Sequence, residues 1–152
     1  MTIRRNTILT PPGRGSSYLV FANAIQKKGN TFAFTDNIFQ LGTYGLGAEN
    51  PPLGSSSSTL LDGHFRSWAF SRNVLVNPQW APPSIYPAGQ YWVSSLAAVG
   101  FQDPSKADFA LSPKSRYRGL GSGGSDPGAN VESLVEAFTR FMSVRDFQKD
   151  QP

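Results

Sequence analysis

Phe34-Thr35-Asp36-Asn37-Ile38-Phe39 decides how this chain is read, because the sequence says nearly the same thing twice more. Ile3-Arg4-Arg5-Asn6-Thr7-Ile8 comes before it and Phe70-Ser71-Arg72-Asn73-Val74-Leu75 after it. Each copy has an apolar residue, then Asn three positions on, then a second apolar residue two beyond the Asn. The Asn residues are separated by 31 and 36 residues. Self-similarity at that spacing points to a repeat architecture, in which each copy is one layer stacked on the next.

Between the copies the sequence alternates as strands do. Phe32 and Phe34 fall on one side of Thr31–Thr35, and Trp68 and Phe70 fall at the matching places in Ser67–Ser71. Tyr18-Leu19-Val20-Phe21-Ala22 is rich in aromatic and branched residues and reads as a strand. Short strands at Asn-marked corners suit a parallel β-helix, where equivalent residues stack about 4.8 Å apart. Phe34 then lies between Ile3 and Phe70, and Asn6, Asn37 and Asn73 form a ladder. An amide side chain suits such a corner because it both donates and accepts, so it satisfies backbone groups and its neighbour together. The alternative is three unrelated hairpins in a sandwich, with each Asn merely in a turn.

The remainder is less regular. Residues 42–58 are rich in Gly, Pro and Ser and read as a long loop, with Thr59-Leu60-Leu61 opening another strand. The repeat ends after Val76, and prolines at 78, 82, 83 and 87 make 77–90 an irregular excursion. Strand-like pieces follow at Ala98–Phe101 and Asp108–Leu111, then a glycine-rich turn from Gly119 to Gly128. Asn130 is a good N-cap. Val131, Leu134, Val135, Phe138, Phe141 and Met142 then recur at helical spacing, which predicts an amphipathic helix over 131–145 packing its apolar face on the core.

Composition sets the bounds. A chain of 152 residues makes one domain, and its 11 Phe, 5 Tyr and 3 Trp argue for a packed core despite 15 Gly and 12 Pro. The expected organisation is coils over 1–76, a closing segment over 77–129 and a capping helix over 130–146. Net charge is +4, but the Lys and Arg residues are scattered and no nucleic-acid reader motif accompanies them. With no Cys there are neither disulfides nor thiolate sites. No stretch approaches a membrane span, and no N-terminal run reads as a signal peptide.

The Asn-Ile/Val corners resemble those of right-handed parallel β-helix proteins of the pectate-lyase-like superfamily, and more narrowly the C-terminal portion of large bacterial ones. The stretches that carry the resemblance are 34–40, Arg72-Asn73-Val74-Leu75, Tyr86-Pro87-Ala88-Gly89, Val99-Gly100-Phe101 and Ala107–Pro113. Ser115-Arg116-Tyr117-Arg118-Gly119 through Ala129 resembles a closing segment, although Arg116 stands where Pro is more usual. The resemblance implies a mainly β fold of about two to three right-handed coils, ended by a closing segment and a C-terminal capping helix. It also implies an extracellular or cell-surface setting. Such proteins carry further coils before this point, so the end near Ile3 is expected to be open, for missing N-terminal coils or for a protein partner.

Members of that superfamily include polysaccharide lyases and hydrolases with Asp/Glu and Arg/Lys sites on an outer sheet face. One cluster here fits that chemistry. If Asp62-Gly63-His64-Phe65-Arg66 is extended, Asp62, His64 and Arg66 project on one side, and a carboxylate orients the single His. The same residues also read as ordinary solvent-facing positions. Trp80, Tyr86, Tyr91 and Trp92 offer aromatic faces that could stack on sugar rings, or that cover the side of the stack. No His cluster or Asp-x-Asp run predicts a metal, and no cofactor is implied. The leading expectation is a non-catalytic terminal module, a scaffold or interaction unit touching carbohydrate. Its rivals are a lyase or glycosidase fragment and an accessory subunit docked through the open end.

Overall fold

A computed structural model describes residues 1–10, 18–21, 28–41, 45–48, 56–76 and 83–149. Eleven strands and two helices are found there. The strands are β1 (Thr2–Arg4), β2 (Thr7–Ile8), β3 (Tyr18–Phe21), β4 (Gly29–Thr35), β5 (Ile38–Gln40) and β6 (Gly45–Ala48), then β7 (Phe65–Ser71), β8 (Val74–Val76), β9 (Tyr91–Val93), β10 (Phe101–Asp103) and β11 (Asp108–Leu111). Helix α1 is Ser57–His64 and α2 is Val131–Lys149.

Three sheets are parallel, ordered β1-β4-β7, β2-β5-β8-β9 and β3-β6, and β10 pairs with β11 antiparallel. The chain visits the parallel sheets in the same order in successive passes, so β1, β2 and β3 form one tier and β4, β5 and β6 the next. The register aligns Ile3 with Phe34 and Phe34 with Phe70. It also aligns Thr7 with Ile38 and Ile38 with Val74.

The corner between the first two sheets is a single left-handed residue followed by an amide. Arg5, Asp36 and Arg72 have φ of 55°, 59° and 54°. Left-handed backbone disfavours most L-residues by about 1–2 kcal/mol, so something must hold these corners, and the amide ladder described below does. A fourth corner has Gly89 at φ 84°, followed by Gln90 and β9. Strand pairing therefore does not stop at Val76: Val74, Leu75 and Val76 pair with Tyr91, Trp92 and Val93.

Alternation along β5 and β8 makes the second sheet two-faced. Phe39 and Leu75 point into a core with Phe32, Phe34, Phe70, Leu60 and Leu61. Ile38, Val74 and Val76 point the other way, into a second core closed by Val99, Phe101 and Tyr117. Within the first core Phe34 stacks on Phe70 with ring centroids 5.2 Å apart.

Residues 59–61 are helix, not strand. Ser57, Leu60, Leu61 and His64 are the buried residues of α1, a spacing of three, one and three that only a helix puts on one face. The Ser56 hydroxyl caps it by accepting from the Thr59 N–H. The serine run thus supplies a helix start inside the segment read as one loop.

The closing segment runs back along the stack rather than away from it. The Tyr117 hydroxyl donates to the Trp92 carbonyl in the fourth tier. Ser122 reaches Asp36 in the second tier, and the Ala129 N–H donates to the Thr7 hydroxyl in the first. Gly128 is indispensable to that path. Its φ is 89°, and a Cβ there would sit 2.7 Å from the Ile38 side chain.

Helix α2 leaves this strap beside the first tier, with its start capped by Asn130 accepting from the Ser133 N–H. Packing of its apolar face on the core is not found. Leu134, Val135, Phe138 and Phe141 are all more than half exposed. Two cores had already formed from other elements, so no core face remains for it. Nor does the helix cap the end reached by β9. That end is covered by residues 83–93, where Tyr86 packs against Phe70 and Trp92.

Candidate functional site

The amide ladder is continuous across four tiers. The Asn6 backbone N–H donates to Asn37 Oδ1 at 2.9 Å, that of Asn37 to Asn73 Oδ1 at 3.0 Å, and that of Asn73 to Gln90 Oε1 at 3.2 Å. Side-chain amides repeat the step, Asn37 Nδ2 to Asn73 Oδ1 at 3.0 Å and Asn73 Nδ2 to Gln90 Oε1 at 3.0 Å. Each amide also reaches back one tier to a backbone carbonyl: Asn37 to Ile3, Asn73 to Phe34, and Gln90 to Phe70. Buried polar groups are costly unless paired, and in Asn37 and Asn73 both the donor and the acceptor of the side chain are used.

The exception is at the first tier. Asn6 is exposed; its amide donates down the ladder to Asn37 Oδ1 at 3.3 Å and, with no earlier tier among the described residues to reach, turns to the Arg4 carbonyl of its own tier. Its Oδ1, the counterpart of an acceptor used in every later tier, receives no hydrogen bond among the described residues. Strands β1, β2 and β3 each stand at the end of their sheet. Ile3 and Ile8 are only half-buried, whereas Phe34 and Phe39 beneath them are buried. Among the described residues, no strand pairs with the outer edges of β1 and β2, and the apolar side chains there are incompletely covered.

Beside the ladder lies a buried carboxylate shared by two guanidinium groups. Asp36 is fully buried. Arg4 Nε approaches one carboxylate oxygen at 2.9 Å and Arg72 Nε the other at 3.1 Å. Ser122 donates its backbone N–H at 2.9 Å and its hydroxyl at 2.7 Å. Burial alone would raise the carboxyl, but the Ser122 hydroxyl, the two guanidinium groups and the Ser122 N–H outweigh it and hold Asp36 down at about 2. One carboxylate thus ties three tiers to the strap. Arg5 makes the next tie, donating to the Ser125 hydroxyl at 2.8 Å.

A cleft of about 460 Å³ lies where strap, β11 and the start of α2 meet, with Arg5, Arg118, Asp126 and Glu132 among its lining residues. Its cations are engaged, Arg5 by Ser125 and Arg118 by Asp126. No helix of the described residues is long and apolar enough to cross a membrane, and these residues contain no group of three His, Asp or Glu able to hold a metal ion.

Asp62, His64 and Arg66 are not presented on one side of an extended segment. Asp62 and His64 lie on α1, where residues two apart point about 200° apart. Asp62 is exposed and accepts from the Trp68 indole N–H at 2.8 Å. His64 is buried, with Nδ1 2.9 Å from the Leu60 carbonyl, and Arg66 is exposed on β7.

The aromatic residues are also engaged in packing. Tyr86 is buried, and burial pushes its hydroxyl up to about 12 against a weaker pull from the Leu46 backbone. Tyr91 donates to the Leu120 carbonyl and Trp92 lies edge-on to Tyr86. Both are half-buried; Trp80 lies outside the described residues.

Sequence reasoning missed Gln90, Asp36 and Ser122. Gln90 was hidden by a repeat interval of only 17 residues, yet Gly89-Gln90 is followed by an alternating strand just as Arg72-Asn73 is. Asp36 was visible as an acidic residue between the corner arginines of the neighbouring copies. Ser122 gave no signal, since nothing in a glycine-rich turn fixes which corner it meets. No protein-family model, curated protein or solved structure matches the chain.

Proposed function

We propose that the chain is a short right-handed parallel β-helix module that acts as a non-catalytic scaffold and interaction unit, docking a protein partner on the edge formed by β1, β2 and β3. The extracellular or cell-surface setting belongs to the same proposal and rests on the family resemblance. The observation that carries it is the contrast between the two ends of the ladder. Gln90 completes the last tier, and residues 83–93 cover it. At the first tier Asn6 Oδ1 receives no hydrogen bond among the described residues, Ile3 and Ile8 are only half-buried, and the exposed helix α2 starts nearby.

An enzymatic reading through Asp62, His64 and Arg66 finds little support in a buried imidazole bonded to its own helix. The test is a photo-crosslinking residue at Thr2, on the edge, compared with one at Ser105, an exposed position elsewhere. Cross-linking in the source cells should give a discrete adduct from position 2 and none from 105, and excess unlabelled protein should compete it away. Equal labelling from both positions would count against docking at the edge. Cleavage of a polyuronate or neutral glycan that is lost on Asp62→Ala or His64→Ala would replace this reading with the enzymatic one.

A further inference from the structure

Resting on the docking edge proposed above, we infer that its partner is a protein segment carrying a further tier of defined chemistry: strand, acidic corner residue, Asn or Gln, strand. Three observations converge on that occupant.

The first is the pairing rule inside the stack. Asp36 stands at the left-handed corner of the second tier and binds Arg72, which stands at the same corner one tier below it in the chain's order. Arg72 also donates to Ser122 of the strap. Arg5 repeats this arrangement, with the same corner, φ of 55° against 54°, and a donation to strap residue Ser125. What Arg5 lacks, among the described residues, is the acid. A carboxylate at the corner of a tier laid on β1 and β2 would stand to Arg5 as Asp36 stands to Arg72.

The second is the amide. Every later rung of the ladder accepts both a backbone N–H and a side-chain amide from the tier before it. Asn6 Oδ1 presents the same acceptor to a tier outside the described structure. A bare polyanion, whether nucleic acid or acidic glycan, has no backbone N–H to place there, so a polypeptide fits where a polyanion does not.

The third is charge. Residues 1–35 hold five Lys and Arg and no Asp or Glu, while the rest of the chain holds nine and ten. Among the described residues the first tier contributes Arg4 and Arg5, of which Arg4 is paired with Asp36 and Arg5 with no carboxylate. Two copies meeting edge to edge would set Arg4 and Arg5 against Arg4 and Arg5, which disfavours self-pairing and favours an acidic partner.

The experiment uses a fluorescent peptide of the second-tier sequence, residues 31–40, between Gly-Ser flanks, with binding read by anisotropy and by hydrogen exchange at residues 2–8. The peptide should bind and slow exchange there. Asp36→Arg or Asn37→Leu in the peptide should each weaken binding at least tenfold. Arg5→Glu in the protein, with its fold checked by circular dichroism, should reverse the preference and select the Asp36→Arg peptide. Equal binding of the acidic and basic peptides would overturn the acidic partner while leaving the docking edge intact. Failure of every tier peptide to protect residues 2–8 would overturn both. Tighter binding of polyglutamate than of the tier peptide, or concentration-dependent dimerisation through residues 2–8, would replace this partner with a polyanion or a second copy.

Discussion

Asp36 and Asn37 adjoin in sequence and do different work. Asp36 is an ionised carboxylate taken out of water, which is tolerable only because charged and hydroxyl donors surround it. Because its folded-state pKa is depressed to about 2 from 3.8, its contribution is complete above pH 4 and is lost as pH falls toward 2. With both arginines nearly half exposed, that contribution is on the order of 1–2 kcal/mol. Asp36→Asn should lower the urea midpoint by an equivalent of about 2 kcal/mol at pH 7 and flatten the loss of stability between pH 4 and 2. Equal acid sensitivity of wild type and variant would show that other carboxylates govern it. At the neighbouring position, Asn37→Leu removes the acceptor of the Asn6 N–H and amide and the donor to the Ile3 carbonyl, leaves Asn73 Oδ1 only the backbone N–H of residue 37, and should cost about 2–4 kcal/mol. Asn6→Leu removes an end rung that is partly met by water and should cost about 1 kcal/mol or less. Equal costs in denaturant titrations would contradict a ladder that ends at Asn6.

At the scale of elements, sequence pattern was informative where one period governed. The alternation of 31–35 and 67–71 and the apolar-Asn-apolar corners specify which residues stack, and Ile3, Phe34 and Phe70 do share a register. Helix α1 was obscured because its buried face begins in a serine run, and Ser57 there is buried by tertiary contacts that no serine predicts. Helix α2 was legible as a helix but not in its packing, since amphipathic spacing says which side is apolar and not what covers it. Phe138→Ser should therefore change stability by less than about 0.5 kcal/mol and improve solubility. Leu75→Ala, in the filled core, should cost about 2–5 kcal/mol. A large loss on Phe138→Ser, read by thermal melting, would mean that the helix docks on its own chain after all. Gly128→Ala belongs at this scale too: it should loosen the strap, seen as faster hydrogen exchange at Ser122 and Ala129, because a methyl group meets Ile38 and the backbone is left-handed.

The molecule as a whole is asymmetric in covering and in charge. The same strap that seals the outer face of the second sheet delivers α2 to the first tier, so the chain folds back toward its own uncapped edge. Charge is uneven along the sequence as well, since residues 1–35 hold five Lys and Arg and no Asp or Glu. Neither property follows from composition: a net charge of +4 spread evenly would steer nothing. The candidate catalytic cluster was a spacing argument that assumed an extended backbone, and it dissolved once residues 57–64 became a helix. What organises the account is the ladder and where it stops. Side-chain amide exchange, followed by nuclear magnetic resonance on protein labelled at Asn, tests that most directly. The NH₂ protons of buried Asn37 and Asn73 should exchange slowly and as a cooperative pair, while those of exposed Asn6, although hydrogen-bonded, should exchange markedly faster. Free exchange at all three would contradict the ladder, and protection of Asn6 equal to that of Asn37 would contradict an open first tier.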